Sequence, residues 1–77
     1  MQMIEVDSTA IERIGWETGM MDVHFKDGRS YRYYGIPESV YEEVLDADSI
    51  GRAFNIMIKD KYEYMDTTDI YYSQYVS

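Results

Sequence analysis

The sequence predicts an α+β fold: a small antiparallel three-stranded sheet followed by a helical hairpin, with a tyrosine-rich C-terminal tail that has the β-propensity to add a strand. Three observations lead there. Residues 20–34, MMDVHFKDGRSYRYY, alternate apolar and polar side chains on both sides of an Asp-Gly turn signal. Residues 37–45 and 50–58 each carry an apolar stripe at spacings of three and four. The chain has 77 residues and no cysteine, so one small domain must hold itself together without disulfides.

The first strand is IERIGW, residues 11–16, with Ile14 and Trp16 on one face. Gly15 between them points to a bulge or to a close backbone approach, because glycine in a strand gives up both entropy and packing. The second strand is MMDVHFK, residues 20–26. Met21, Val23 and Phe25 share one face; Met20, Asp22, His24 and Lys26 share the other. The third strand is RSYRYY, residues 29–34.

The turn between the second and third strands decides which tyrosines are buried. A two-residue loop at Asp27-Gly28 sets Val23 against Arg32 on the core face. A three-residue loop, Lys26-Asp27-Gly28, pairs Phe25 with Arg29, Val23 with Tyr31 and Met21 with Tyr33 on one face. On the other face it pairs Asp22 with Arg32, Met20 with Tyr34 and His24 with Ser30. This register gives an apolar–aromatic core and a cross-strand ion pair, and it places Gly28 at the left-handed position such hairpins favour. A slip of one residue would exchange the faces. Tyr31 and Tyr33 therefore read as core, and Arg29 lies at the rim beside the turn. Arg32 and Tyr34 stand on the opposite face with Asp22 and His24, as a solvated ion-paired surface or as a stacking and anion-binding platform.

Pro37 suits the first turn of a helix, where its missing N–H costs nothing, and Glu38 complements the helix dipole. Val40, Tyr41, Val44 and Leu45 form the buried stripe; Glu42, Glu43 and Asp46 face out. Asp48-Ser49 signals a second helix start, with Ile50, Ala53, Phe54, Met57 and Ile58 buried and Arg52, Asn55 and Lys59 on the other side. Few residues join the two helices, hence a hairpin. Residues 62–77, YEYMDTTDIYYSQYVS, hold five tyrosines, three acids and no cation. Such aromatic richness is unlike a disordered tail, so part of it is expected to order on its own domain or on a neighbouring subunit, with DIYYSQYVS as the strand candidate.

The order of these motifs resembles the KTSC domain, a family named for its occurrence at the C-terminus of some lysyl-tRNA synthetases. The matching features are the early I-x-x-I-G-aromatic stretch, Tyr31-x-Tyr33, and Pro37-x-x-Val40-Tyr41. The run Ser49, Gly51, Phe54, Asn55 and the Ile58-Lys59 with Tyr62 ending also match. The resemblance covers about residues 8–62 and divides the chain into a KTSC-like domain, 1–62, and an acidic tyrosine-rich extension, 63–77, for which the family pattern has no template. It implies a small sheet-plus-helices domain that also occurs alone in bacteria and their viruses, and an RNA-binding role suggested by the synthetase context.

Charge restricts function. Fifteen carboxylates face seven cations, for a formal net charge of -8, which opposes duplex DNA, whose binding rests on phosphate neutralisation. Six cations nevertheless cluster between positions 26 and 61: Lys26, Arg29, Arg32, Arg52, Lys59 and Lys61. No apolar run is long enough to span a bilayer, and MQMIEVDSTA lacks the basic start of a signal peptide, so a cytoplasmic protein is expected. One histidine and no cysteine give no zinc or nucleophile motif. His24 and Asp22 share a strand face at an unspecific spacing, and the acidic pairs Glu42-Glu43 and Asp46/Asp48 read as solvated helix surface. No enzyme activity, metal or cofactor is expected.

Two functions of different class follow. The first is a binding module, a small homo-oligomer, for a phosphorylated nucleotide or short single strand. Arg29, Arg32, Tyr34, Lys59, Lys61 and Arg52 would supply anion contacts and a stacking surface, and the module would sequester a nucleotide signal as viral counter-defence proteins do. The second is an acidic protein-interaction module, a nucleic-acid mimic or an inhibitor of a basic host protein, with Tyr64, Tyr71, Tyr72 and Tyr75 as oligomer or partner contacts. An RNA-binding accessory domain comes third, weakened by the charge.

Overall fold

The computed structural model describes residues 1–70. Among these residues five strands and two helices run in the order β1 (Met3–Glu5), β2 (Ile11–Glu17), β3 (Met20–Phe25), β4 (Ser30–Tyr33), α1 (Glu38–Asp46), α2 (Ile50–Met57) and β5 (Tyr64–Asp66), and a third helical segment, beyond the expected hairpin, occupies 68–70. All strands form one antiparallel sheet in the order β1-β2-β3-β4-β5. The α+β class and the antiparallel sheet agree with expectation; the strand number does not. The sheet has five strands rather than three, because a three-residue strand is added at each edge. Segments that short cannot display an alternation, and only their neighbours' backbone groups define them.

The β3–β4 hairpin adopts the three-residue register: Met21 pairs with Tyr33, Asp22 with Arg32, Val23 with Tyr31 and His24 with Ser30. The Phe25 N–H donates to Arg29 O at 2.8 Å, and Gly28, at φ 96°, takes the left-handed turn position. In β2 the chain takes two steps, from Ile11 to Arg13, while β3 takes one, from Phe25 to His24. This bulge resolves a parity conflict: Ile11 and Ile14 are three positions apart, an odd step, yet both are buried in the core. Gly15 is therefore not the bulge. It is the place of close approach, where an added Cβ would lie 2.6 Å from Met3 Sδ and 2.7 Å from Gln2 O.

The helices cover one face of the sheet. Pro37 is the N-cap of α1 rather than part of its first turn, and its carbonyl accepts from the Val40 and Tyr41 N–H groups. Ser49 caps α2, its side chain accepting from the Arg52 N–H. The core joins Ile14, Met21 and Val23 of the sheet to Ile36, Val44, Phe54 and Ile58. Trp16 anchors α1: its indole N–H donates to Ile36 O at 2.8 Å and its ring stacks on Tyr41.

The extension contributes a strand at Tyr64–Asp66, earlier than the DIYYSQYVS segment expected. Residues 68–70 are helical; of the DIYYSQYVS segment expected as a strand, all but Asp69 and Ile70 lie outside the described residues. Thr67 and Ser30 are both buried with their hydroxyl oxygens 2.9 Å apart, and the Ser30 N–H donates to Thr68 Oγ1 at 3.0 Å. A local Asx turn, the Thr68 N–H on Asp66 Oδ1 at 2.9 Å, competes with strand pairing beyond Asp66. Tyr71, Tyr72 and Tyr75 lie outside the described residues.

Candidate functional site

A groove of about 230 Å³ opens between the β4–β5 edge of the sheet and the C-terminal half of α2. Its walls are aromatic. Phe25, Tyr31, Tyr64, Tyr33 and Phe54 form a closed circuit in which each ring contacts the next, with successive centroids 5.9, 5.6, 5.7, 5.4 and 5.6 Å apart. Four of these contacts are edge-to-face, the arrangement the ring quadrupoles favour. The circuit follows from the hairpin register, which sets Tyr31 and Tyr33 on the helix-facing side, and from β5, which sets Tyr64 opposite Tyr33. Phe54 is buried beneath, whereas Tyr64 is 59% exposed. Burial pushes the Tyr33 phenol up to about 12, with Tyr31, Tyr64 and Asp60 adding to the effect.

Charged and polar groups occupy the rim. Arg29, Asn55, Lys59 and Asp60 complete the lining. Arg29 pairs with Asp27 at 2.7 Å through one Nη and at 2.9 Å through Nε. Hydrogen bonding within this exposed pair holds the Asp27 carboxyl below its usual range and raises the Arg29 guanidinium. Asp60 sits at φ 65°, in the left-handed turn that ends the helical layer.

The opposite face carries a different cluster. Arg32 donates to both carboxylate oxygens of Asp22, at 2.8 and 3.0 Å, and Asp22 is 1% exposed. Burial lowers the His24 pKa, with the Asp22 charge opposing. Tyr34 is partly exposed and donates its N–H to Glu63 O.

The six cationic and aromatic candidates thus do not converge on one surface. Arg29 and Lys59 share the aromatic groove. Arg32 lies on the other side of the sheet, and Tyr34 follows the end of β4. Arg52 lines an adjoining hollow between residues 7–10 and the start of α2, which shares Phe25, Phe54 and Asn55 with the groove, and Lys61 lies in a shallow depression that shares Asp60 and Tyr64 with it. The sequence places other groove residues elsewhere: Tyr31 and Tyr33 in the core, Asn55 on the outer helix face, Tyr64 at a partner contact. Tyr33 is in fact buried, while Tyr31 is half-buried and faces the groove. Adjacent Phe54 and Asn55 in one helix were a usable signal, since they send an aromatic and an amide toward the same end of the sheet.

The KTSC domain family model matches residues 7–62. The chain belongs to the KTSC domain family. Its fold is similar to that of a crystallised KTSC domain protein from Yersinia pestis, with a TM-score of 0.80 and 31% identity, covering 84% of this chain and 94% of that one. An uncharacterised protein of Stutzerimonas stutzeri is 33% identical over 64 residues, 80% of this chain and 90% of the relative. A lysine–tRNA ligase of Nostoc punctiforme is 30% identical over 64 residues, which are 80% of this chain but 11% of the ligase. The match leaves out both edge strands of this KTSC domain, so Tyr64 reaches the groove from beyond the matched residues, while Arg29, Asn55 and Lys59 lie within them. No helix among the described residues is long and apolar enough to cross a membrane, and none of their acidic or histidine side chains group in threes as a metal site would need.

Proposed function

We propose that this KTSC domain is a non-catalytic binding module that holds a phosphorylated nucleotide, or the end of a short single strand, in the groove between β4, β5 and α2. The observation that carries this reading is the circuit of five aromatic rings with Arg29 and Lys59 on its rim. A base stacked on an aromatic side chain is worth about 1–3 kcal/mol. Tyr64, the most exposed ring of the five, offers that platform. The Asn55 amide can read a base edge, and the two cations can meet a phosphate. A volume of about 230 Å³ suits one base rather than several. Occurrence of a related segment in a lysine–tRNA ligase supports a ligand of nucleotide chemistry. Aromatic walls with cations at the rim suit capture: a homo-oligomer would sequester a nucleotide signal, the role of a viral counter-defence protein.

Native mass spectrometry of gently purified protein, followed by titration calorimetry with the nucleotide found, tests this reading. Tyr64→Ala and Lys59→Ala are expected to weaken binding about tenfold or more while the fold survives, because both side chains are exposed. Unchanged affinity in both variants would remove the groove as the site.

A second reading rests on a separate observation. Ile56, Tyr64, Met65 and Ile70 are exposed on a chain of charge -8, which suits an acidic protein-interaction surface. A wild-type protein that takes up no nucleotide but retains a basic protein partner would favour it.

A further inference from the structure

The groove's rim carries a charge pattern that narrows the ligand. Its cations are Arg29 and Lys59. Three carboxylates stand against them. Asp27 is paired directly with Arg29 at 2.7 Å. Asp60 lines the groove beside Lys59 and faces the Tyr33 phenol. Asp66 pairs with Tyr31 across β4 and β5; hydrogen bonds from Thr68 hold its carboxyl low, and the Arg29 charge contributes further. Arg32 is on the far face with Asp22 and adds nothing here. Lys61 adjoins the groove through Asp60 and Tyr64; with it, three cations against three carboxylates leave no positive excess, and the chain as a whole repels anions.

Donors are nevertheless present. A guanidinium has five N–H groups in a fixed fork; Asp27 engages those on Nε and one Nη, Tyr31 also hydrogen-bonds the group, and the Arg29 side chain is 65% exposed, so donors remain within reach of a ligand. Such a rim can hydrogen-bond an anion but cannot neutralise several charges. A phosphodiester brings one negative charge. A nucleoside triphosphate brings about four, and each additional one meets Asp27, Asp60 or Asp66 at short range without counter-charge. The chain also lacks a glycine-rich loop whose backbone amides would cradle a polyphosphate.

We infer that the groove selects phosphodiester nucleotides, one charge per phosphate, and excludes nucleoside polyphosphates. This inference rests on the nucleotide-binding reading above and names the chemical class within it. The free ends of single strands and cyclic nucleotides share that chemistry.

Titration calorimetry of the full chain with four probe classes tests it: 3′,5′-cyclic mononucleotides, cyclic dinucleotides, linear dinucleoside monophosphates and the corresponding triphosphates, each with all common bases. At least one phosphodiester class is expected to bind about tenfold or more tighter than the triphosphate of the same base. Which class binds separates a cyclic ligand from a strand end. Asp60→Asn is expected to narrow the gap by strengthening triphosphate binding; asparagine tolerates the left-handed backbone at this position, so the turn is kept. A triphosphate that binds as tightly as any phosphodiester would overturn the inference and leave the nucleotide reading standing. Failure of every probe to bind would overturn both.

Discussion

Asp22 and Arg32 face each other across β3 and β4 and are joined by two parallel hydrogen bonds of 2.8 and 3.0 Å, with the Asp22 side chain almost wholly buried on the sheet face away from the helices. The pair lies at the middle of a row that crosses all five strands, Met3, Gly15, Asp22, Arg32 and Met65. A buried carboxylate deprived of its guanidinium is costly. Arg32→Ala is expected to lower the unfolding free energy by about 2–3 kcal/mol, discounted because Arg32 is partly exposed. Arg32→Lys should recover only part of this, since an ammonium cannot make the two-pronged contact. Urea unfolding measures both, and a loss below about 0.5 kcal/mol would mark the pair as a surface ornament of the kind exposed ion pairs often are.

Gly15 fixes the β1 edge. An alanine there puts a methyl group within 2.6 Å of Met3 Sδ and 2.7 Å of a backbone oxygen, which only movement of β1 can relieve. Gly15→Ala should cost about 1–3 kcal/mol. Hydrogen exchange should show lost protection at residues 3–5 and retained protection in β3 and β4. Uniform protection throughout would contradict the close approach.

Ser30 and Thr67 tie β4 to the start of the extension through a buried hydroxyl pair. Ser30→Ala or Thr67→Val alone should cost about 1–2 kcal/mol, because one hydroxyl is left buried without its mate. The double variant should cost less than the sum of the singles, and a thermal-melt double-mutant cycle reads the coupling. Strict additivity would separate the two groups energetically.

The Tyr33 phenol gives an alkaline signature. In the unfolded chain it ionises near 10, and in the fold at about 12. Between these values the unfolded state binds fewer protons, so stability falls as pH rises through that window. Tyr33→Phe should flatten the decline between pH about 10 and about 12 in denaturant titrations. An unaltered slope would mean that Tyr33 is not the group responsible.

Much of this fold was legible in the sequence. The hairpin register followed from asking which loop length puts Tyr31 and Tyr33 with Val23 and Met21, and the structure has that pairing. The two helices followed from stripes at spacings of three and four, and Ser49 is the cap its position suggested. Local chemistry was sufficient here because period, turn and cap all pointed the same way.

Tertiary structure decided the rest. β1 and β5 are three residues each and exist as strands only because β2 and β4 offer unpaired backbone groups. The Ile11–Arg13 bulge is set by the need to bury Ile11 and Ile14 together, a demand that alternation cannot express. The candidate site moved for the same reason. Arg29 and Arg32 are near in sequence, but the period of two in a strand separates side chains onto opposite faces, and Asp22 holds Arg32 on its side. Lys59 and Tyr64 reach Arg29's groove only through the docking of α2 and the return of β5. Sequence alone determined the elements and the hairpin faces, because those depend on neighbours along the chain. Which cations share a surface with which rings depends on long-range packing, and only the folded sheet and helices settle it.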